Sequence, residues 1–379
     1  MKVYCPHNKQ LCLVGGGHSH VTVIRQLVSK PLASIHVTLV SPDVFTPYSG
    51  MLPGLIAGHY SHQDCHIDLH RLCRWAGIQF VRDTVQRINP VLRELYCDQR
   101  PPIKYDLLSI NIGSQPAIDN ILGANTFGYT IKPVNNFLHH WQQWLEFYAK
   151  SKQKRHIVVV GGGAAGVEVL LAMHYRLLNT TSINAAFTLI CSDNTILPSH
   201  NPAVQAFFSR HFLSLNIRII KNSFVKSIDG QQFYLMDGSS VDYDFTVWAI
   251  HAGAQTWPAM SGLKCDDHGF IEVDQFLRST SHPDIFAAGD TAAFTSRKLP
   301  KAGVYAVRQG PVLLNNILAE FKQQPLAPFK PQQRFLSLLT TGGRHAIASR
   351  GSIFLQGKWV WYWKNHIDHN FMNRFKPLH

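Results

Sequence analysis

Long hydrophobic runs are missing from this chain of 379 residues. A helix that crosses a bilayer needs roughly 18 to 20 consecutive apolar residues, and the apolar stretches here are strand-length, such as Ile157-Val158-Val159-Val160. A signal-peptide cleavage pattern is also missing: the polar segment Met1 to Gln10 runs straight into Leu11-Cys12-Leu13-Val14-Gly15-Gly16-Gly17, so a cytoplasmic location is expected. Cysteine is scarce and unpatterned. The seven thiols (Cys5, Cys12, Cys65, Cys73, Cys97, Cys191 and Cys265) are odd in number and contain no Cys-x-x-Cys, which excludes a zinc ribbon and a thioredoxin-like pair. Acidic residues are the minority, 23 against 36 Lys plus Arg, and the net charge of +13 favours anions. Nucleic acid, anionic lipid and dinucleotide pyrophosphate all qualify, but no aromatic–basic motif accompanies the charge, so a nucleic-acid partner is not expected. With 45% hydrophobic residues and only 16% charged ones, disorder is excluded, and the length predicts two or three domains.

What is present is a repetition. A β-run closing on glycines occurs at Leu11 to Gly17 and again at Ile157 to Gly163. A second pair of elements follows each: Tyr105-Asp106 leads through an apolar strand to Gly113, and Tyr243-Asp244 leads through another to Gly253. The chain reads as two copies of one dinucleotide-binding architecture. In the first copy a helix is expected over about Ser19 to Ser29, ahead of Pro31, then a strand from Ile35 to Val40; in the second, a helix over Ala164 to Leu178 and a strand from Ala186 to Ile190. A later segment carries a strand ending at Gly289-Asp290 and a helix starting near Gly303, and the tail from Phe335 reads as short strands around Gly342-Gly343 and Gly357, then a helix.

Gly161-x-Gly163-x-x-Gly166 satisfies the full fingerprint in its strand–turn–helix context. Glycines permit the tight turn and close approach of a pyrophosphate, and the helix N-terminus offers free amides with positive potential. The first turn keeps Gly15 and Gly17 but has His20 in the third position, so His20 must point elsewhere or push the helix outward. Neither copy has the ribose-binding acid at its second strand end: Ser41 follows Val40, and Cys191-Ser192-Asp193 follows Ile190. No Arg stands there either, which favours NADH over NADPH.

With these features in this order, the chain resembles the flavoproteins with two dinucleotide-binding domains, the class of pyridine nucleotide-disulfide oxidoreductases and type II NADH dehydrogenases. More specifically, Gly15-Gly16-Gly17-His18-Ser19-His20-Val21, Thr46-Pro47-Tyr48-Ser49-Gly50-Met51-Leu52-Pro53-Gly54 and Lys301 to Pro311 resemble the flavoprotein module fused ahead of selenide, water dikinase. The likeness extends over residues 10 to 376; the kinase half is absent. It implies an α/β fold of two Rossmann-like domains plus a small C-terminal α+β region: an FAD domain over 1–120 to which the chain returns at 265–330, an NAD(P) domain over 121–264, and an interface region over 331–379. It implies FAD in the first copy and NAD(P)H in the second, with Asp290 beside Gly289 on the ribityl and phosphate part of FAD; a carboxylate accepts hydroxyl hydrogen bonds there. Gly15, Gly17, His18, Ser19, His20, Ser41, Pro53, Gly113, Gly289, Asp290 and Lys301 are the expected flavin-side residues, and Gly161, Gly163, Gly166 and Gly253 the nicotinamide-side ones.

Flavin carries out the redox chemistry in such proteins, so no protein nucleophile is required. Three residues are assigned to the reacting centre. Glu168 matches the glutamate of type II NADH dehydrogenases at the nicotinamide–flavin contact; Lys301 would place positive charge at the flavin pyrimidine edge; Tyr48, on the loop with Pro47, Pro53 and Gly54, would stack or donate there, or simply pack. The cysteine pair of the disulfide reductases has no counterpart, so dithiol chemistry is excluded. Quinone-reducing relatives carry Ala-Gln-x-Ala-x-Gln-Gln-Gly where this chain has Gly303 to Gly310, with Val304 and Arg308 in place of two glutamines. The expected function is hydride transfer from NAD(P)H to flavin, then electron transfer to a small-molecule acceptor, with a quinone among the candidates. The alternative is a flavin-bound partner module of selenium or sulfur metabolism. His62, His66 and His70 are spaced by four, but Asp68 reads as the N-cap of a helix over Leu69 to Ala76, leaving two of the three outside it, and no metal is expected. Trp359, Trp361 and Trp363 alternate like a strand, while Ile367, Phe371 and Phe375 recur every four residues near Lys364, Arg374 and Lys376. That stripe reads as a helix packed on its own domain or on a homodimer mate, or as a peripheral membrane contact.

Overall fold

Two five-stranded parallel sheets organise the molecule, which a computed structural model describes over residues 9–32, 34–180 and 182–376; Cys5 lies outside them. In the first sheet the order is Ile285–Ala287, Leu107–Ile110, Lys9–Val14, Ile35–Ser41, Gln79–Arg82. In the second it is Tyr129–Thr130, Phe245–Trp248, Arg155–Val160, Ala185–Ile190, Arg218–Ile220. The central strands are covered on both faces, by helices on one and by an antiparallel sheet on the other, which is why Leu11–Val14 and Ile157–Val160 are unbroken apolar runs.

The repeated Tyr-Asp pairs explain themselves here. Asp106 accepts a hydrogen bond from the Gln10 amide at 2.6 Å and returns its own amide to the Gln10 carbonyl at 2.9 Å. Asp244 does the same with His156, at 2.7 Å each way. Each aspartate thus ties the bottom of one central strand to its parallel neighbour and sets their register. Each sheet is flanked by a three-stranded antiparallel sheet, Val85–Asn89, Glu94–Cys97, Ile103–Lys104 in one copy and Val225–Ile228, Gln232–Leu235, Ser240–Asp242 in the other.

Two segments cross between the sheets, just beyond Gly113 and at Gly253, and they pair with each other as the antiparallel ribbon Gln115–Pro116 with Ala252–Gly253. A small-residue crossing packs the helices His18–Ser29 and Gly303–Phe321: a Cβ on Gly310 would stand 2.6 Å from Thr22 Cβ, and Ser19 Oγ donates to the Ala306 carbonyl at 2.7 Å.

The tail forms an antiparallel sheet, Ser337–Thr340, Ala346–Arg350, Ile353–Gly357, and then the helix Lys358–Asn373. Here the expected tryptophan strand is overturned. Trp359, Trp361 and Trp363 lie on that helix, which begins directly after Gly357 at φ 139°. Trp361 packs inward, and Trp359 and Trp363, four residues apart, stack on the outer side at 6.2 Å. The alternation of tryptophan at every second position suits a strand locally, but strand Ile353–Gly357 has already completed the sheet, and a helix buries one indole with Val360 and Lys364. The stripe of Ile367, Phe371 and Phe375 is split likewise: the two phenylalanines are buried, and Ile367 is exposed.

Candidate functional site

At the first glycine turn Gly15 has φ +90°, and a Cβ there would lie 2.5 Å from the Asn111 carbonyl; one on Gly17 would lie 2.3 Å from Asn111 Oδ1. The same Oδ1 accepts from the amides of Ser19 (3.1 Å) and His20 (3.3 Å), while Nδ2 donates to the Ala288 carbonyl at 2.6 Å. Asn111 therefore links three strand ends to the helix start. Sequence reasoning missed it, although an amide side chain closing the apolar run Leu107–Ile110 was the available signal.

His20 lies fully buried beneath the helix. Its Nδ1 stands 2.7 Å from the Gly15 carbonyl and its Nε2 2.8 Å from Ser109 Oγ. A carbonyl can only accept, which assigns the proton to Nδ1 and leaves Nε2 to accept from the serine. In the second copy a Cβ on Gly166 would meet the corresponding carbonyl, that of Gly161, at 2.0 Å. Glycine gives contact at that carbonyl where histidine gives a hydrogen bond. Burial pushes His20 down to about 4, so it is neutral at physiological pH. His18, two residues earlier at the helix start, is also pushed down to about 4 by burial, with Asp290 opposing and Lys132 reinforcing the shift, and its Nε2 is buried without a hydrogen-bond partner.

Asp290 sits in the short 3-10 turn Gly289–Thr291, where Gly289 has φ +71° and gives its amide to buried Gln309 Oε1 at 2.6 Å. Asp290 Oδ2 accepts from Lys132 Nζ at 2.8 Å and from Ser114 Oγ at 3.1 Å. Burial works to raise this carboxyl, but Lys132, Ser114 and Lys301 together hold it below its usual range. Lys301 Nζ donates to the Ala292 carbonyl at 2.8 Å and lies 3.5 Å from the centre of the Phe270 ring; burial brings it down to about 8 against the pull of Asp290 and Asp266. Lys132 and Ser114 were not foreseen, since nothing local in the sequence ties position 132 to one 158 residues away.

At the second turn Gly161 has φ +127° and its Cβ would lie 2.2 Å from the Ala249 carbonyl, while Gly163 faces open space at the start of helix Ala164–Thr180. Gly113 likewise borders open space, whereas Gly253 belongs to the connecting ribbon. Ser41 is buried at its strand end, and Asp193 is exposed beyond Cys191. Glu168 is half-buried; its Oε1 accepts from the Thr340 amide (2.7 Å) and hydroxyl (2.9 Å), so the C-terminal sheet reaches the nucleotide-binding helix through it. Burial raises its pKa, against Lys364 and the Thr340 bonds.

The loop from Phe45 to Ala57 lies between the two sheets, with Pro53 opening the short helix Leu52–Ala57. The Tyr48 ring lies 4.5 Å from that of Phe371, tilted by 30°, and 5.5 Å from that of His18, tilted by 56°. Burial and the neighbouring Asp368 carboxylate, to which the Tyr48 hydroxyl donates, raise its pKa. Buried Lys364 bonds both Asp368 Oδ2 and the Gly50 carbonyl at 2.5 Å, fixing the C-terminal helix to this loop. That pair was missed because Lys364 reads, in sequence, as a flank of the apolar stripe. Cys65 and Cys73 are buried and pushed up to about 12, hence unreactive thiols, and the six cysteines among the described residues are all free. His62 and His66 stack at 3.6 Å, and His66 bonds Asn135; among the described residues no His, Cys, Asp and Glu cluster has metal-site geometry.

The set fits a flavin dinucleotide. Open space at Gly113, the orphaned His18 Nε2 and a carboxylate beside the His18–Ser29 N-terminus provide room, a polar ring nitrogen, and an acceptor for hydroxyls.

The family model described as pyridine nucleotide-disulphide oxidoreductase matches residues 9–310. The chain is 24% identical over 375 residues to the "NADH dehydrogenase-like protein YutJ" of Bacillus subtilis, covering 94% of this chain and 99% of that one. It is 22% identical over 363 residues to a "Probable NADH dehydrogenase" of Dictyostelium discoideum, covering 89% and 79%. Among solved structures, NDH2 of Plasmodium falciparum in complex with NADH superposes with a TM-score of 0.82 at 17% identity, over 97% of both chains. The sulfide:quinone oxidoreductase of Aquifex aeolicus gives 0.79 at 19% identity, over 97% and 91%.

Proposed function

Because this chain belongs to the pyridine nucleotide-disulphide oxidoreductase family, we propose that it oxidises NAD(P)H, NADH preferred, and hands the electrons to a quinone. FAD and NAD(P)H are its cofactors, and it works without a redox-active cysteine pair. The two glycine turns with Asp290 beside the first carry the reading of cofactors. For the acceptor, the support is the helix Lys358–Asn373, whose inner face holds Lys364, Asp368 and Phe371 against Tyr48 while Trp359, Tyr362, Trp363 and Ile367 are exposed on its outer face. A lipophilic acceptor and a peripheral membrane contact through those aromatics fit such a helix. Among the described residues no helix is long and apolar enough to cross a membrane. We also propose the domain division 1–120 with 265–330, 121–264, and 331–379.

In this reading the first turn and Asp290 hold FAD, the second turn holds the nucleotide, and bound flavin supplies hydride acceptance and onward electron transfer. The protein's own part is positional and acid–base. Thr340 occupies Glu168 Oε1 and leaves Oε2 to carry a proton at the meeting point of the two units. Tyr48, Phe371 and His18 wall the site with rings and keep water out. Lys301 adds positive charge on the Asp290 side. Of the glutamine segment of quinone-reducing relatives this chain keeps Gln309, which binds Gly289, while Arg308 is exposed.

The test is anaerobic mixing of the yellow protein with NADH or NADPH, followed by addition of a short-chain quinone. Rapid loss of the visible flavin band, NADH faster, and its return with quinone are expected. No bleaching by either nucleotide would sink the reading in favour of a flavin-bound docking module, and bleaching without return would sink the quinone.

A further inference from the structure

We propose that Lys132 is a positioning residue that couples the seating of the nicotinamide-side unit to the grip on FAD, through the Lys132–Ser114–Asp290 cluster. This rests on the FAD reading above and deepens it. Four parts of the chain converge at the cluster. Lys132 comes from the second unit, two residues beyond its edge strand Tyr129–Thr130, and Thr130 Oγ1 anchors the Lys132 carbonyl at 2.6 Å. Ser114 follows Gly113 at the entrance to the connecting ribbon, and its Oγ lies 3.1 Å from Lys132 Nζ. Asp290 belongs to the flavin-side turn and takes both donors on Oδ2, at 2.8 Å and 3.1 Å, so that Oδ1 is left for a cofactor hydroxyl. His18, with its orphaned Nε2, is close enough for both Asp290 and Lys132 to act on its charge.

The geometry gives Lys132 a task that Lys301 does not share. Lys301 comes from the same return segment as Asp290 and spends its ammonium on the Ala292 carbonyl and the Phe270 ring. Lys132 alone of the two is carried by the unit that would bring the nicotinamide, so any rotation of that unit about the ribbon moves a charge at the flavin site. The ammonium orients the Asp290 carboxylate through a charge-assisted bond, and the carboxylate in turn presents its second oxygen to FAD. The side chain is 39% exposed against 14% for Asp290, so its removal leaves a space that water can fill.

The experiment compares wild type, Lys132→Met, Lys132→Arg and Ser114→Ala, each purified without flavin. FAD affinity is read by flavin fluorescence quenching, flavin reduction potential by dye equilibration, and bleaching by NADH at saturating FAD. Loss of one charge-assisted bond at a site holding a net positive charge should weaken FAD on the order of tenfold in Lys132→Met. The same variant should lower the flavin potential and slow bleaching by a similar factor, with Lys132→Arg restoring all three to within about threefold. Ser114→Ala, which keeps the charge but frees its direction, should shift FAD affinity by roughly threefold. If Lys132→Met fails to fold, Lys132→Gln is read in its place with the same expected losses, beside Ser114→Ala. FAD affinity, potential and bleaching all unchanged in the variants overturn the role of Lys132 and leave the flavin reading intact. Wild type that takes up no FAD overturns both.

Discussion

His20 fills a position that the fingerprint reserves for glycine, and its cost shows in acid. Its folded pKa of about 4 lies below its unfolded value, so the neutral ring's contribution is whole above pH 6.5 and is lost as pH falls through about 4. Stability should drop by on the order of 3 kcal/mol over that window, and urea unfolding of wild type against His20→Asn at pH 7 and pH 4.5 measures it: the variant should show a flatter dependence. A His20→Asn profile as steep as wild type would clear His20 of the effect. Glu168 titrates in the opposite sense. Burial raises its pKa, so as a proton carrier it is active when protonated and its contribution fades as pH rises through that value. Glu168→Gln should slow acceptor reduction at least tenfold, as typical of a general acid, and remove the alkaline fall from the pH–rate profile, with NADH affinity little changed.

At the scale of elements, Gly310 sets how closely the helices His18–Ser29 and Gly303–Phe321 approach. Gly310→Val places methyl groups where even a Cβ is 2.6 Å from Thr22 and 3.0 Å from the Ser19 carbonyl, so about 1–3 kcal/mol should be lost in denaturant unfolding. FAD affinity should fall with it, since Ser19 lies in the first turn of the helix that faces the cofactor. The helix Lys358–Asn373 gives another prediction: Trp359→Ser with Trp363→Ser should abolish co-sedimentation with anionic vesicles while leaving NADH-driven bleaching at the wild-type rate. If sedimentation persists and the wild type elutes as a dimer that the double variant lacks, the exposed aromatics serve a second copy instead.

These elements also show what the sequence made legible. Both glycine turns with their strands and helices, and the strand end before Gly289-Asp290, could be read because their spacing is local: a tight turn and a helix start are decided within a few residues. The tryptophan helix could not, because only the finished sheet before Gly357 shows that a further strand has no place. Asn111, Lys132 and the Lys364–Asp368 pair were hidden for a related reason, since each acts on a partner far along the chain: Asn111 on Ser19 and Ala288, Lys132 on Asp290, Lys364 on Gly50. His20 was visible as an anomaly, but its resolution required Ser109 beneath it.

The whole molecule holds its cofactors between parts that are distant in sequence, so FAD should stabilise it globally. FAD at a hundred times its Kd should add about 2.7 kcal/mol and raise the melting temperature, with the increment shrinking in Asp290→Ala. The order of strands in the first sheet carries a further consequence, for the ribosome. Tyr129 to Trp248 is one continuous stretch that supplies every strand of the second sheet and of the antiparallel sheet flanking it, whereas the sheet opened by Lys9–Val14 awaits Ile285–Ala287 at its border. During translation the later-starting half can finish first, and the earlier one must wait with Leu107–Ile110 uncovered until nearly three hundred codons have been read.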